Sequence, residues 1–248
     1  MEKLTSTANP MVKKTKALLD AKNRRAEKAF VVEGEVMIKE ALSCGLTPLY
    51  ALSEYATDIV PEVRLCSRAV LEACSDTKTP QGICSVFALP EERKLNPAAR
   101  RIIALDGVQD PGNVGTILRT ADAAGFEGVL LDNRCPEVFS PKVQRSAMGS
   151  AFRMPVWRGR LYDELVRRKT DGGKIVVSAL EGAVDYRSVR FDANAPLILV
   201  IGNEAQGVTP EVKALANVTL KIPMRGRAES LNAAVAAGIL MYALTEVN

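Results

Sequence analysis

The chain has 248 residues, 33 Lys and Arg against 29 Asp and Glu, and no histidine. That length holds one large domain or two small ones, and an apolar content of 47% supports a sizeable core. Without histidine there is no Ser-His or Cys-His nucleophile and no His-ligated metal. The five cysteines, Cys44, Cys66, Cys74, Cys84 and Cys135, are scattered without a CxxC pair. That pattern argues against a disulfide framework or a zinc site, so no metal is expected. No apolar run approaches the roughly 18 residues of a membrane span, and the N-terminal stretch has no signal-peptide core. A cytoplasmic protein away from membranes is expected. The net charge of +4 is unevenly spread. Residues 1–30 hold eight cationic against three acidic side chains, and residues 153–169 six against two. Such patches suit a polyanion, or are solvated helix faces.

In chain order, residues 10–28 read as a basic helix, 29–32 as a short strand, and 34–43 as a helix ended by Gly45. Strands are predicted at 49–52, 63–66 and 82–89, with a helix near 69–73. This makes a compact α/β unit over residues 1–90. The polar stretch 89–98, with two prolines, reads as a linker, bounded at 91–98. A second unit, 99–248, opens on the apolar strand 101–105. A turn-rich loop leads into a helix with Ile117, Leu118, Ala121 and Ala124 on its stripe, ended by Gly125. Strand 128–131 follows, then a helix from Ser140-Pro141 to Gly149, strand 155–157, helix 161–169 and strand 174–180. The run 196–201, bounded by Pro and Gly, reads as a strand buried on both faces. Thr209-Pro210 marks a helix start, 218–222 is a strand, and Ser230 opens an apolar helix to about residue 244. The second unit is thus predicted as a six-stranded, mostly parallel sheet covered on both faces. Ligands in such sheets sit at the carboxyl ends of the strands.

Each polar feature has two readings. Asn113 and Arg119 lie six apart, about 120° around a helix, so they share a site only if the loop bends Asn113 inward. Arg119 stands alone among apolar residues, either in a structural ion pair or aimed at a phosphate or ligand. Glu204 lies between Gly202 and Gly207 at a strand's carboxyl end, in a surface turn or a site. The glycine spacing is half of a phosphate loop, but the required Lys is missing. No GxGxxG occurs, so a dinucleotide fingerprint is weak. Ser230 and Asn232 are caps of the last helix or site residues; within a helix Asn is a poor choice.

Three stretches together are specific: DPGNVGTILRTADAAG at 110–125, GNEAQG at 202–207, and IPMRGRAESLN at 222–232. In order and spacing they resemble the three motifs of the SpoU (TrmH-type) RNA 2′-O-ribose methyltransferases of the SPOUT superfamily. Residues 5–90, with RAEKAFVVEG at 25–34, resemble that family's N-terminal substrate-binding domain, which is similar to a ribosomal-protein fold. The resemblance implies a C-terminal trefoil knot, a rare exception to the rule against threading. It implies S-adenosylmethionine held there, its adenine read mainly by backbone groups, with Gly202, Ile222, Met224 and Leu231 around it. It implies catalytic roles for Asn113, Arg119, Glu204, Ser230 and Asn232, and a homodimer in which Arg119 serves the partner's cofactor. In the family the arginine matching Arg119 has been proposed as the base, which conflicts with a guanidinium pKa above 12. Arg119, Glu204 and a phosphate oxygen stay open as the proton acceptor. The RNA is expected at Lys13, Lys14, Arg24, Arg25 and Arg145, and family analogy favours ribosomal RNA, 23S above all, over tRNA. The other readings are a non-catalytic RNA-binding ribosome-assembly factor, and a methyltransferase of a base nitrogen or of protein.

Overall fold

A computed structural model describes residues 3–91, 95–192 and 195–245. The elements, in chain order, begin with α1 (Pro10–Ala17), α2 (Ala21–Glu27), β1 (Ala29–Glu33), α3 (Glu35–Ser43), β2 (Pro48–Ser53), β3 (Val63–Leu65), α4 (Arg68–Cys74) and β4 (Ile83–Ala88). They continue with β5 (Arg101–Asp106), α5 (Pro111–Ala123), β6 (Gly128–Asp132), α6 (Pro141–Ala147), α7 (Ser150–Arg153), β7 (Val156–Gly159), α8 (Leu161–Thr170) and β8 (Lys174–Ser178). The last are β9 (Val184–Asp185), β10 (Leu197–Gly202), α9 (Pro210–Lys213), β11 (Val218–Lys221) and α10 (Ala233–Thr245). The chain forms two compact units, Met1–Glu91 with Glu137–Arg153, and Glu92–Pro136 with Met154–Asn248.

The first unit is a four-stranded sheet in the order β1-β4-β2-β3. The basic stretch 10–28 forms two helices, not one. Asp20 breaks it by accepting from the Lys22 amide at 2.8 Å as the N-cap of α2. The segment Glu137–Arg153, expected in the second unit, belongs to this one. Phe139 and Phe152 pack on Phe30, with ring centroids 4.5 and 6.3 Å away, and buried Gln144 donates to the Val31 carbonyl at 3.0 Å. Four buried thiols raise no redox chemistry: burial pushes Cys66 and Cys135 up to about 11 and Cys74 up to about 12, with Cys84 well above its usual value.

The second unit is a parallel sheet of seven strands, β7-β6-β5-β10-β8-β11-β9. The seventh, β9, has two residues, too few to show a period. Of the expected linker, residues 92–94 lie outside the described residues. Leu95 and Ala99 are buried in this unit's core with Ile102, Leu130 and Val200, so the chain from Leu95 onward packs as part of this unit. The central strand β10 is buried along five of its six residues, as expected for a strand covered on both faces. From β5 the chain winds outward through β6 and β7, then returns across β10 to β8 and β11. The direction changes at the β5–β10 pair, the kind of crevice where open α/β sheets bind ligands. Helix α5 begins at Pro111, inside the stretch 106–113 that reads as a turn-rich loop. Asp110 Oδ1 accepts from the Asn113 amide at 2.9 Å, Pro111 occupies the first turn, and Gly125 at φ +73° ends it. Its buried stripe of Val114, Ile117, Leu118 and Ala121 leaves one side for α10, where Gly238 lies beside the Thr120 methyl.

Candidate active site at the ends of β5 and β10

Asp106 and Gly202, the last residues of adjacent parallel strands, are register partners. Their loops therefore leave the sheet side by side. Asp106 is buried and ties three strands' ends together. It accepts from Arg134 Nη2 at 2.5 Å, from the Thr209 amide at 2.7 Å and from the Thr209 hydroxyl at 2.8 Å. The sequence predicts Thr209 as a side-chain cap of α9, but its hydroxyl is spent on Asp106 instead. The loop 203–207 is pinned at both ends. Asn203 and Gly207 exchange backbone bonds at 3.0 and 2.9 Å, Asn203 Oδ1 accepts from the Ala205 and Gln206 amides, and its Nδ2 donates to the Gly107 carbonyl at 2.8 Å.

This pinning sets the position of Gly202. A Cβ there would overlap the Gly207 carbonyl carbon and the Val208 nitrogen. The close approach that glycine permits here is to the chain's own backbone, whereas the sequence points to a ligand.

Glu204 is not a free surface turn. Its carboxylate accepts from the Gln109 amide at 3.1 Å, the Asp110 amide at 3.2 Å and Asn113 Nδ2 at 2.9 Å. Asn113 Oδ1 in turn accepts from Asn232 Nδ2 at 2.9 Å, and Asn232 Oδ1 accepts from the Ala234 and Val235 amides. The chemistry fixes every amide orientation in this relay. A carboxylate only accepts, so Asn113 must present its NH2 to Glu204 and its oxygen to Asn232. The Asn232 oxygen is then left to cap α10. Asn232 thus caps α10 and joins the relay at once. Helix α10 starts at Ala233, three residues later than expected, and Ser230 is exposed with no hydrogen bond to any described residue. Partial burial opposes ionisation of Glu204, but the Asn113 side chain and the loop amides outweigh it and hold the carboxyl below its usual range. That makes Glu204 a firm hydrogen-bond acceptor and a weak base.

The loop 222–232 fits an adenosine moiety. Ile222 and Met224 are half-buried and Leu231 is exposed, so all three apolar side chains border solvent. Residues 223–231 make no backbone hydrogen bond among the described residues. A purine offers faces to the former and edges to the latter. No group of three His, Cys, Asp or Glu able to hold a metal is found among the described residues.

Arg119 is exposed and makes no hydrogen bond or ion pair among the described residues, so the structural ion-pair reading fails. It is also absent from the relay that unites Asn113, Glu204 and Asn232. In the first unit the expected RNA contacts divide. Lys13 is exposed, Lys14 is exposed and pairs with Glu27, and Arg25 pairs with Glu137 on the surface. Arg145 pairs with Asp76. Arg24 is a correction. It is only 4% exposed, and it donates to the Leu18 and Leu19 carbonyls and to Glu137, so it holds the α1–α2 turn together and presents nothing to RNA. Sequence reasoning missed Asp106, Asn203 and Thr209. The signal for Asp106 was present: a lone acid closing an apolar strand needs partners.

The SpoU rRNA Methylase family matches residues 100–242, and the MRM3-like substrate binding domain matches residues 9–85. The 23S rRNA (guanosine(2553)-2′-O)-methyltransferase RlmP of Bacillus subtilis (strain 168) is 36% identical over 98% of this chain and 99% of its own length. The 23S rRNA (uridine(2479)-2′-O)-methyltransferase of Streptomyces viridochromogenes is 30% identical over 96% of this chain and 90% of its own. Among solved structures, the AdoMet-bound rRNA methyltransferase from Sinorhizobium meliloti superposes with a TM-score of 0.88 at 32% identity, covering 98% of this chain and 97% of that one. The chain belongs to the SpoU rRNA Methylase family, and is an S-adenosylmethionine-dependent RNA 2′-O-ribose methyltransferase.

Proposed function

We propose that this chain methylates a ribose 2′-hydroxyl of 23S rRNA, in the cytoplasm, as a homodimer, with the first unit reading the RNA and the second doing the chemistry. The observation that carries the reading is the relay Glu204–Asn113–Asn232, which joins one residue from each of the three motifs through side chains alone. Support for the 23S target is that both relatives above are named for it.

S-adenosylmethionine, when bound, supplies an electrophilic sulfonium methyl. Gly202, Ile222, Met224 and Leu231 would hold it, in the knot expected for this fold. The relay sets the distance between the 202–207 loop, the mouth of α5 and the start of α10, which pre-orders the pocket. Arg119 offers a planar fork of donors to the 2′-hydroxyl and a neighbouring phosphate. A guanidinium only donates, so the hydroxyl proton goes to an oxygen, the Glu204 carboxylate or a phosphate oxygen of the RNA. Ser230, with its hydroxyl unspent among the described residues, completes the donor set.

Two features support the dimer. The outer face of α10 exposes Val235 at 51% and Tyr242 at 47%, apolar area that a second subunit would cover. Arg119 has no partner among the described residues of its own chain, as expected of a residue serving another subunit's cofactor. Sedimentation at micromolar concentration should give a dimer; a monomer would count against it. In the first unit, Lys13, Lys14 and Arg25 are the RNA contacts retained, and Arg145 contributes only if its ion pair with Asp76 opens. Surface pairs such as Lys14–Glu27 are weak enough to yield to phosphate. The target is tested by offering in vitro transcripts of 23S rRNA, 16S rRNA and tRNA with labelled cofactor. Labelling of 23S rRNA alone is expected, and labelling of tRNA in preference would overturn it.

A further inference from the structure

Among the described residues, the arginines are almost all committed. Arg24, Arg25, Arg64, Arg68, Arg145 and Arg153 form ion pairs, as do Arg134, Arg160, Arg167, Arg168 and Arg187. Arg101, Arg158 and Arg190 donate to backbone carbonyls, and Arg100 has a partner as well. The exceptions are Arg119, Arg225 and Arg227, which make neither hydrogen bond nor ion pair with a described residue. All three belong to α5 or to the loop that runs into Asn232, the two stretches that meet in the relay. Arg225 and Arg227 are exposed in a loop whose own carbonyls are unpaired, yet neither guanidinium folds back onto them. Glu229, the acid of that loop, pairs with neither. With Lys221, the stretch 221–232 carries three cations against one anion.

A guanidinium without an internal partner, repeated two residues apart at the rim of a site for a polyanion, is a contact waiting for phosphate. We propose that Arg225 and Arg227 bind the RNA backbone beside the target ribose, each taking one phosphate. The catalytic unit then has its own electrostatic grip on the RNA, independent of the basic helices of the first unit. This rests on the RNA-methyltransferase reading and adds two residues that hold the strand beside the reacting hydroxyl.

The test is a filter-binding salt titration of the full-length chain with unmodified 23S rRNA transcript. Removing one phosphate contact lowers the slope of log K against log salt by about 0.7 on single-stranded RNA and about 0.9 on duplex. The double variant Arg225→Gln/Arg227→Gln should therefore flatten the slope by about 1.4–1.8, with raised KM for RNA and unchanged melting temperature and S-adenosylmethionine affinity. Arg225→Lys/Arg227→Lys keeps the charges and should keep most of the slope, an outcome no merely structural role would give. Lys174→Gln is the control. Lys174 is exposed at the start of β8, the opposite end of the strands from the site, and its loss should leave the slope alone. A Gln double variant with wild-type slope and KM overturns the proposal, even if methylation is intact. A wild-type chain that shows the expected slopes yet transfers no methyl group overturns the functional reading and leaves the phosphate contacts standing.

Discussion

Replacing Glu204 with Gln changes one atom's chemistry and little of the shape, yet the relay cannot absorb it. Glu204 Oε1 accepts from Asn113 Nδ2 and the Asp110 amide, and Oε2 from the Gln109 amide. Glutamine has one accepting oxygen. If that oxygen takes the Oε1 place, its NH2 confronts the Gln109 N–H, donor against donor. If it takes the Oε2 place, the NH2 confronts Asn113. Asn113 must then flip, Asn232 must flip after it, and the last flip turns an NH2 toward the Ala234 and Val235 amides and uncaps α10. Either way one charge-assisted hydrogen bond is lost and a donor is stranded, about 2 kcal/mol in all. For a chain of this size that lowers the melting temperature by about 4–8 °C. Differential scanning calorimetry of Glu204→Gln reads it directly, and S-adenosylmethionine affinity should weaken in parallel because the loop ends are no longer held. A variant with a melting temperature within about a degree of wild type would show that the relay does not hold the site.

Arg119→Lys keeps the charge and loses the planar fork; turnover should fall at least about a hundredfold with cofactor affinity little changed, and near-wild-type turnover would remove Arg119 from the mechanism. Gly202→Ala should fail to fold or lose much of its stability, because the new Cβ overlaps the Gly207–Val208 backbone; a soluble variant with a wild-type melting curve would contradict that packing. Glu164 is buried; burial opposes its ionisation, but bonds from Arg167 and Arg168 outweigh it and hold the carboxyl below its usual value. A depressed pKa stabilises the fold fully above pH 4.5, the ordinary value, and loses that contribution as pH falls through the folded-state value. Melting curves of Glu164→Gln should therefore fall less steeply with acid than wild type, and parallel curves would refute the assignment.

Much of this was legible in the chain because the strongest signals are local. The run ending at Gly202 reads as a buried strand by composition, and Gly125 closes α5; its start at Asp110-Pro111 lies inside the stretch 106–113 that reads as a loop, because Pro-Gly-Asn is also turn chemistry. The three motif stretches marked Asn113, Glu204 and Asn232 one by one. Their junction was not legible, because the Asn113–Asn232 bond spans 119 positions and no periodicity connects them. Other misses have the same physical origin. Arg24 sits in a basic run that reads as exposed, yet the carbonyls left open where α1 stops draw its guanidinium inward. Ser140-Pro141 marks the start of the helix at 141–147 in sequence, although the buried Ser140 hydroxyl makes no cap bond, and the partner that recruits the helix, the β1 edge with Phe30 and Val31, lies more than a hundred residues upstream.

Methyl transfer to a ribose 2′-hydroxyl is tested by where a labelled methyl group ends up. The chain is incubated with 23S rRNA transcript and S-adenosylmethionine labelled in its methyl group, and the RNA is hydrolysed in alkali. A 2′-O-methyl blocks attack of that oxygen on the adjacent phosphate, so the expected product is label in an alkali-resistant dinucleotide, abolished when the 2′-hydroxyl at the target is replaced by hydrogen. Label recovered in mononucleotides would mean methylation of a base and would contradict transfer to the ribose.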